Sequence, residues 1–363
     1  MGINDRISKI KKFVSRYERH LSSSALIGGF IFDILVLTRI DMPTENLWII
    51  AHLLIAFLGI VVLNIYEKKE KDKGKGHYWL VITIQFAFGG LLSTFLVFYF
   101  RSATISASWP FLLLLLIAFA SNEIFKEQYA RITFQLSYFF LSVFSFAIYY
   151  LPIILGELGP KIFILSGLLS IAVMILFLVV LLFVNAEVIR QRQMPILWSM
   201  SGIFIIFNIL YFTNIIPPIP LSLKEAGVFH SITKNEDGDY NVLHEIGEWR
   251  DFFRFNEIYH YVPGSSLYVY SAVFSPTNLD TNIIHEWQYY DDWNSKWITN
   301  TRVKLPVFGG RGGGYRTYSL SEYIFPGIWR VNVETLEGQI IGRIEFKIEE
   351  TEILPELISE IKT

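Results

Sequence analysis

The sequence predicts an α-helical transmembrane bundle of about seven helices followed by an all-β antiparallel sandwich, immunoglobulin-like or jelly-roll-like. Three observations predict it. Apolar residues fill 52% of the 363 positions, with a mean hydropathy of +0.41, and they concentrate in the first 220. Lysine and arginine cluster in alternate loops of that apolar half. Beyond residue 220, apolar and polar residues alternate in short runs separated by turn signals. The domain boundaries that follow are a cytoplasmic basic arm over 1–20, a seven-helix transmembrane domain over 21–217, an extracytoplasmic β-domain over 221–350 and an acidic tail or short terminal helix over 351–363.

The apolar segments run roughly 22–39, 46–66, 78–100, 109–125, 132–152, 161–184 and 196–217. Each approaches the ~20 residues that carry a helix across ~30 Å of hydrocarbon. The first contains Asp33 and the fourth runs into the polar stretch SNEIFKEQYAR. Cationic side chains near span ends stay on the cytoplasmic side. Arg6 to Arg19, Lys68 to Lys75, Lys126 with Arg131, and Arg190 with Arg192 supply fifteen such charges to one set of loops. Only Arg39, Arg101 and Lys161 fall in the opposite set. Fifteen against three implies a cytoplasmic N-terminus, seven crossings and a C-terminal domain outside the cytoplasm. The long basic N-terminal region, with no small-residue cleavage site after the first apolar run, is not a cleavable signal, so the first span is expected to stay as an anchor.

The β-domain rests on period-two patterning. In KWITNTRVKLPV, Trp297, Thr299, Thr301, Val303, Leu305 and Val307 alternate with Ile298, Asn300, Arg302 and Lys304, which predicts one apolar and one wet face. VFHSITK, LYVYSAVFS, IIHEWQYYD, GIWRVNVET and IIGRIEFKI read likewise, with turns at Glu236-Asp237-Gly238, Pro263-Gly264-Ser265-Ser266 and Glu337-Gly338. Seven to nine strands are expected. The chain has no cysteine, which excludes disulfides, thiolate catalysis and cysteine metal ligands. Residues 221–363 carry 13 Lys and Arg against 21 Asp and Glu, a net −8 that disfavours nucleic acid as a partner.

The stretch GGRGGGYRTYS, residues 309–319, is not a nucleotide loop. A phosphate-binding P-loop needs a strand, then GxxxxGK[ST], then a helix, and here the glycines lead into a β-rich run. A turn between strands is the plain reading. A ligand loop is the sharper one, with Arg311 and Arg316 holding a carboxylate, phosphate or sugar hydroxyl beside Tyr315. The aromatic run HEWQYYDDWNSKW resembles a sugar-binding surface, in which C–H groups stack on rings while carboxylates and amides accept from hydroxyls. Trp287, Tyr289 and Trp297 alternate as core. Tyr290, Asp292, Trp293 and Asn294 fall at a predicted hairpin tip and are the ligand-binding candidates. Trp329, in phase with Val331 and Val333, is expected to be buried.

His230, His244, His260 and His285 show no metal-ligand spacing beyond His244 with Glu248 at i, i+4, so no metal or other cofactor is expected. No GxSxG elbow occurs, and the adjacent Asp291 and Asp292 point to opposite strand faces, so enzymatic chemistry is disfavoured. Asp33, His52, Gln85, Gln135 and Asn208 lie within apolar spans, with Asp33, His52 and Gln85 the candidates for an intramembrane polar site and interhelical hydrogen bonding the plainer role. Glycines 28, 29, 89 and 90 permit close helix approach.

RSATISASWPFLLLLLIAFASNEIF, YFFLSVFSFAIYYLPIILGELG, IPPIPLSLKEAGVFHSI, GGRGGGYRTYS and GIWRVNVETLEGQIIGRIEF together resemble a family of bacterial polytopic membrane proteins carrying the C-terminal domain of unknown function 2914. The resemblance covers most of the chain from about residue 95. It implies a Gram-negative envelope protein with an extracytoplasmic β-domain and brings no activity and no catalytic residues. Two functions remain as expectations. One is a non-enzymatic envelope protein whose β-domain binds a glycan, a lipid headgroup or a membrane or periplasmic protein, with the lipid bilayer as its other partner and neither nucleic acid nor nucleotide among its ligands. The other is a membrane-embedded transporter or enzyme with the β-domain as accessory.

Overall fold

The computed structural model describes residues 27–69, 75–124, 131–236, 238–245 and 257–362. The basic arm of residues 1–20 and Glu248 lie outside them. The chain forms two compact units, one holding residues up to 100, 110–151 and 160–211, the other 101–109, 152–159 and 212–363.

The first unit is helical. A short apolar helix, α1 (Ile27–Val36), precedes α2 (Pro43–Lys69), α3 (Lys75–Arg101), α4 (Ile105–Ile124), α5 (Ile132–Leu155) and α6 (Pro160–Phe212). The last five are each long and apolar enough to cross a membrane. Glu45, in the first turn of α2, accepts the Thr38 and Arg39 backbone N–H groups at 2.9 and 3.1 Å and so fixes the α1–α2 corner.

At 53 residues, α6 would measure about 80 Å if straight, more than twice the hydrocarbon thickness. It is not straight. Asn185 has a non-helical backbone, and Phe163 near one end stacks on Tyr211 near the other with ring centroids 3.8 Å apart. The helix therefore folds back into an antiparallel hairpin whose halves, 160–184 and 186–212, contain the two apolar segments read separately in the sequence. Lys68 Nζ donates to the Val184 carbonyl at 2.8 Å, placing a cation where the break frees a helix C-terminal acceptor. Gly167 permits the close pairing: a Cβ there would stand 2.9 Å from the Phe204 ring.

The second unit is predominantly β. Its strands are β1 (Ser222–Phe229), β2 (Ser231–Lys234), β3 (Tyr240–Glu245), β4 (Glu257–Tyr261), β5 (Leu267–Phe274), β6 (Thr281–Asp291), β7 (Lys296–Val307), β8 (Tyr315–Ser321), β9 (Gly327–Thr335), β10 (Ile340–Glu350) and β11 (Leu357–Lys362). They form sheets ordered β1-β5-β8, β4-β10-β9-β6-β7 and β11-β3-β2, all antiparallel except the β4–β10 pair. Among the described residues, eleven strands in three sheets exceed the seven to nine expected. The segment Leu357–Lys362, read from sequence as tail or terminal helix, is a strand. Alternation in LISEIK is short, and only pairing with β3 supplies its backbone partners.

Strand β5 explains the layering. Its Leu267, Val269 and Val273 pack with Trp287, Trp329, Val331, Val333 and Phe346 of the five-stranded sheet. Its Tyr270 and Ala272 pack the other way, with Phe229, Ile232 and Val242. Both faces of β5 are thus buried, which is why LYVYSAVF is apolar almost throughout. Trp329 and Trp287 are fully buried, as their phase in the sequence predicts.

Trp297 departs from the expected face. A bulge at Trp287/Gln288 shifts the β6–β7 register, so Trp287 faces Thr301 but Gln288 faces Thr299 and Tyr290 faces Trp297. One extra residue reverses side-chain parity. Ile298 therefore pairs with the inward Tyr289, and Trp297 lies half-buried on the outer face against Tyr290, ring centroids 5.3 Å apart.

Candidate functional site

The outer face of the five-stranded sheet is assembled by register. One row across β7, β6, β9 and β10 reads Lys304, Ile284, Glu334, Ile340; the next Arg302, Glu286, Asn332, Arg343; the third Thr299, Gln288, Arg330, Glu345. Four cations meet three carboxylates in these rows, a local reversal of the domain's acidic balance. Gln288, Asn332 and Glu334 are buried although they point away from the core, because long neighbours cover them.

Amide side chains organise this face. Asn332 Nδ2 donates to Glu286 at 3.2 Å and to Gln288 at 3.4 Å, while its Oδ1 accepts from Arg343 Nε at 2.7 Å. Gln288 Oε1 also accepts from Arg330 Nε at 2.7 Å, and Thr299 donates to Glu286 at 2.9 Å. The Arg330 guanidinium lies 4.1 Å from the Trp297 ring centroid. Arg302 pairs with Glu334. Arg330 and Arg343 make no ion pair among the described residues. Burial, and then the positive charge of Arg343, pull the Arg330 guanidinium down to about 10, and burial lowers Arg343 as well. Burial and then the neighbouring Glu286 raise Glu334 above the ordinary carboxylate range despite Arg302.

The residues singled out by sequence lie elsewhere or at the margins of this face. Tyr290 adjoins it through Trp297. Asp291 ties the hairpin tip, accepting from the Trp293 backbone at 2.9 Å and from Asn294 Nδ2 at 2.6 Å, and these bonds hold its carboxylate below its ordinary range. Asn294 is thereby engaged, Asp292 is exposed, and Trp293 stands 97% exposed at the tip. Arg311, Arg316 and Tyr315 sit beyond the opposite end of β7, which at about 3.4 Å per residue separates the two loops by more than 30 Å along the strand. The tip and the glycine loop do not form one groove. Arg316 is pinned to Asp239 at 3.0 Å and to the Lys362 carbonyl at 2.7 Å, joining β8 to β11, and Tyr315 packs against Phe308. Arg311 is exposed. The glycines answer a packing need: a Cβ on Gly309 would lie 1.8 Å from the Pro276 carbonyl oxygen, and one on Gly314, at φ +93°, would meet the Ala272 backbone at 2.8 Å.

Among the described residues no three His, Asp or Glu side chains converge as metal ligands. His285 is sealed between sheets, bonded to Ser271 and Ser319 at 2.8 Å each, and burial pushes its imidazole down to about 3. Glu245 bridges His230 at 2.9 Å and His260 at 2.7 Å. Burial raises its carboxyl, and these hydrogen bonds, with one from the His260 backbone, outweigh burial and leave it below its ordinary value. His244 lies 3.6 Å from Glu360.

In the helical unit, Ser93 donates to Asp33, and both are buried. His52 Nδ1 is 2.9 Å from the Trp48 carbonyl, and Gln85 donates to the Asn122 carbonyl at 3.2 Å. A Cβ on Gly90 would stand 2.8 Å from the His52 ring and one on Gly89 2.9 Å from Asn122 Nδ2, whereas Gly28 and Gly29 face open space. Asn64 and Asn208 donate back to carbonyls four residues earlier. Gln85 thus meets α4, while Asp33 meets α3 and His52 bonds within α2.

Residues 280–348 match the family model described as protein of unknown function (DUF2914). The DUF2914 segment begins at the start of β6 and ends within β10. It therefore contains every residue of the three polar rows together with the hairpin tip and the glycine loop. No curated protein is significantly similar to the chain in sequence. Among solved structures, a Listeria innocua β-glucosidase in complex with gluconolactone is 13% identical, with a TM-score of 0.19, over 34% of this chain and 16% of its own. A Pseudomonas fluorescens alkylpurine DNA glycosylase bound to DNA containing an abasic site analogue is 8% identical, with a TM-score of 0.23, over 84% of this chain and 98% of its own. The chain thus spans a small fraction of the glucosidase, and at these TM-scores neither likeness carries a conclusion here.

Arg343, Glu286, Gln288 and Asn332 were not singled out in the sequence, and Arg330 was read only as opening a strand beside Trp329. Their signal is present, as the polar phase of GIWRVNVET and IIGRIEFKI, but alternation reads only as a wet face. The strand order that gathers three wet faces around one amide pair is not written in any single strand.

Proposed function

We propose that the chain is a non-enzymatic integral protein of the bacterial inner membrane, crossing it seven times with the N-terminus in the cytoplasm. Its β-unit is a sandwich-type module outside the cytoplasm that binds a glycan, a lipid headgroup or a protein of the envelope. The loop-charge asymmetry supports the orientation, and the back-to-back halves of α6 supply the sixth and seventh crossings. The observation that carries the binding role is the outer face of the five-stranded sheet. Two guanidinium groups there, one of them over an indole ring, are held by amides rather than by carboxylates, while Glu286 accepts from Thr299 and Asn332 and Glu345 stands exposed without an ion pair to either arginine. Structural ion pairs use arginine against acid, whereas ligand faces keep the fork available.

The transporter reading needs Asp33, His52 and Gln85 joined across a polar cavity. Asp33 and His52 do lie close enough to interact electrostatically, both against α3, but the hydrogen bonds of the three run to Ser93, Trp48 and Asn122 rather than to one another, which favours helix packing. The test is thermal unfolding of the full chain in detergent micelles, with peptidoglycan fragments, lipopolysaccharide sugars and phospholipid headgroups added in turn. A ligand binding only the folded state raises Tm. A raised Tm that is lost in Trp297→Ala supports the reading. If none of these ligands moves Tm while Asp33→Asn abolishes a cellular phenotype, the transporter reading replaces it.

A further inference from the structure

The geometry points to a phosphate-monoester-type anion held between Arg330 and Arg343 on the outer face of the five-stranded sheet. The inference rests on the β-unit being a binding module and names its ligand chemistry.

Arg330 is the cross-strand partner of Glu345, and Arg343 that of Asn332, so the two arginines are diagonal neighbours on adjacent strands with Cα atoms roughly 7–8 Å apart. Each turns its Nε inward to an amide oxygen, at 2.7 Å in both cases, which fixes the plane of each fork. Among the described residues the terminal nitrogens make no further hydrogen bond, apart from Arg343 Nη1, which donates at 3.2 Å to Ser106 Oγ in the 101–109 segment of the same unit. Arg330 thus keeps both terminal nitrogens and Arg343 its Nη2 for an acceptor, and guanidinium N–H groups of this kind match phosphate oxygens.

The electrostatics are unfinished without an anion. Glu286 accepts from Thr299 and Asn332, and Glu334 is paired with Arg302. Glu345, the cross-strand partner of Arg330 and the acid that acts most on both arginines, is exposed and not within ion-pair distance of either. Holding two half-buried cations side by side is unfavourable, and an anion between them relieves both the mutual repulsion and the unmet donors. A carboxylate neutralises one charge; a phosphate monoester carries between −1.5 and −2 near pH 7 with three acceptor oxygens. The Trp297 ring against Arg330 further restrains that guanidinium.

Phosphate from a lipid headgroup and phosphate from a soluble ester share this chemistry, and the experiment separates them. Isothermal titration of the full chain in phosphatidylcholine nanodiscs with inorganic phosphate is expected to show saturable binding that tightens from pH 5 to pH 7.5 as the second phosphate proton leaves. Arg330→Lys keeps the charge but loses the fork, and is expected to weaken binding about tenfold or more with an unchanged circular dichroism spectrum. Arg343→Lys gives a second, equally conservative variant in case the first misfolds. Nanodiscs containing phosphatidic acid identify the source: loss of free-phosphate binding there assigns the site to a lipid headgroup, and its persistence assigns it to a soluble phosphate.

No saturation by about 10 mM phosphate, or equal affinity in wild type and both lysine variants, overturns the anion site. If phosphate fails but a neutral sugar fragment binds, only this inference falls. If neither binds, the binding-module reading falls with it.

Discussion

Substituting His285 should remove a specific acid sensitivity from the β-unit. His285 is fully buried, and burial holds its imidazole at about 3 against an ordinary 6.5. Because the folded value is depressed, the unfolded chain binds the proton first. Stability from the neutral form is fully present above about pH 6.5 and is lost as pH falls from there toward 3. In that window the loss approaches about 1.4 kcal/mol per pH unit, or roughly 2 kcal/mol between pH 6.5 and 5. His285→Gln deletes the titration and leaves the surrounding hydroxyls partnered, since Ser271 remains 3.0 Å from Thr317 and Ser319 still accepts from Trp287 Nε1 at 2.9 Å. The variant should lose about 1–3 kcal/mol at pH 7.5 through imperfect replacement bonds and then change less with acid than wild type. Urea unfolding of the full chain in micelles, followed by near-UV circular dichroism at pH 7.5, 6.5 and 5, measures both slopes. Every other titrating group is common to the two proteins, so their difference isolates this imidazole. Parallel slopes would refute the reasoning.

Three further outcomes are expected. Gly309→Ala drives a methyl group against the Pro276 carbonyl and should destabilise the β-unit by about 1–3 kcal/mol, read as a lower urea midpoint; an unchanged midpoint would show that the β7–β8 loop yields freely. Arg316→Ala removes the link from β8 to Asp239 and to the Lys362 carbonyl, so hydrogen exchange over residues 357–362 should accelerate at least tenfold while β6 and β9 keep their protection. In this cysteine-free chain, the double substitution F163C/Y211C should be bridged within one molecule by a short bifunctional thiol reagent. Intact mass that shows two separately modified thiols and no bridge would rule out the α6 hairpin.

The helical segments were legible because each is a long apolar run, and hydropathy is a property of local sequence. The fold-back of α6 was legible only in part. NAEVIRQRQMP marks an interruption, but its backbone is helical on both sides of Asn185, and the antiparallel return is established by Phe163 meeting Tyr211. Trp287 and Trp329 were correctly read as core from alternation. Trp297 was not, because a bulge has no signature in the alternation of one strand: the extra residue is defined only against a partner. The tail LISEIK shows the same limit, since an edge strand acquires its conformation from the neighbour it pairs with.

The sequence alone therefore determined what depends on near neighbours along the chain: an apolar helical half, a β-rich acidic half, the boundary near residue 220 and the burial phase of most strands. Only tertiary structure decided what depends on which strands adjoin. The order β10-β9-β6-β7 brings Gln288 to Arg330 and Asn332, more than forty residues along the chain, and sets Arg343 of the next strand beside Asn332, and the length of β7 holds the hairpin tip away from the glycine loop. Alternation specifies which side of a strand a residue occupies, while pairing specifies its company, and electrostatic and hydrogen-bonding character arises from that company.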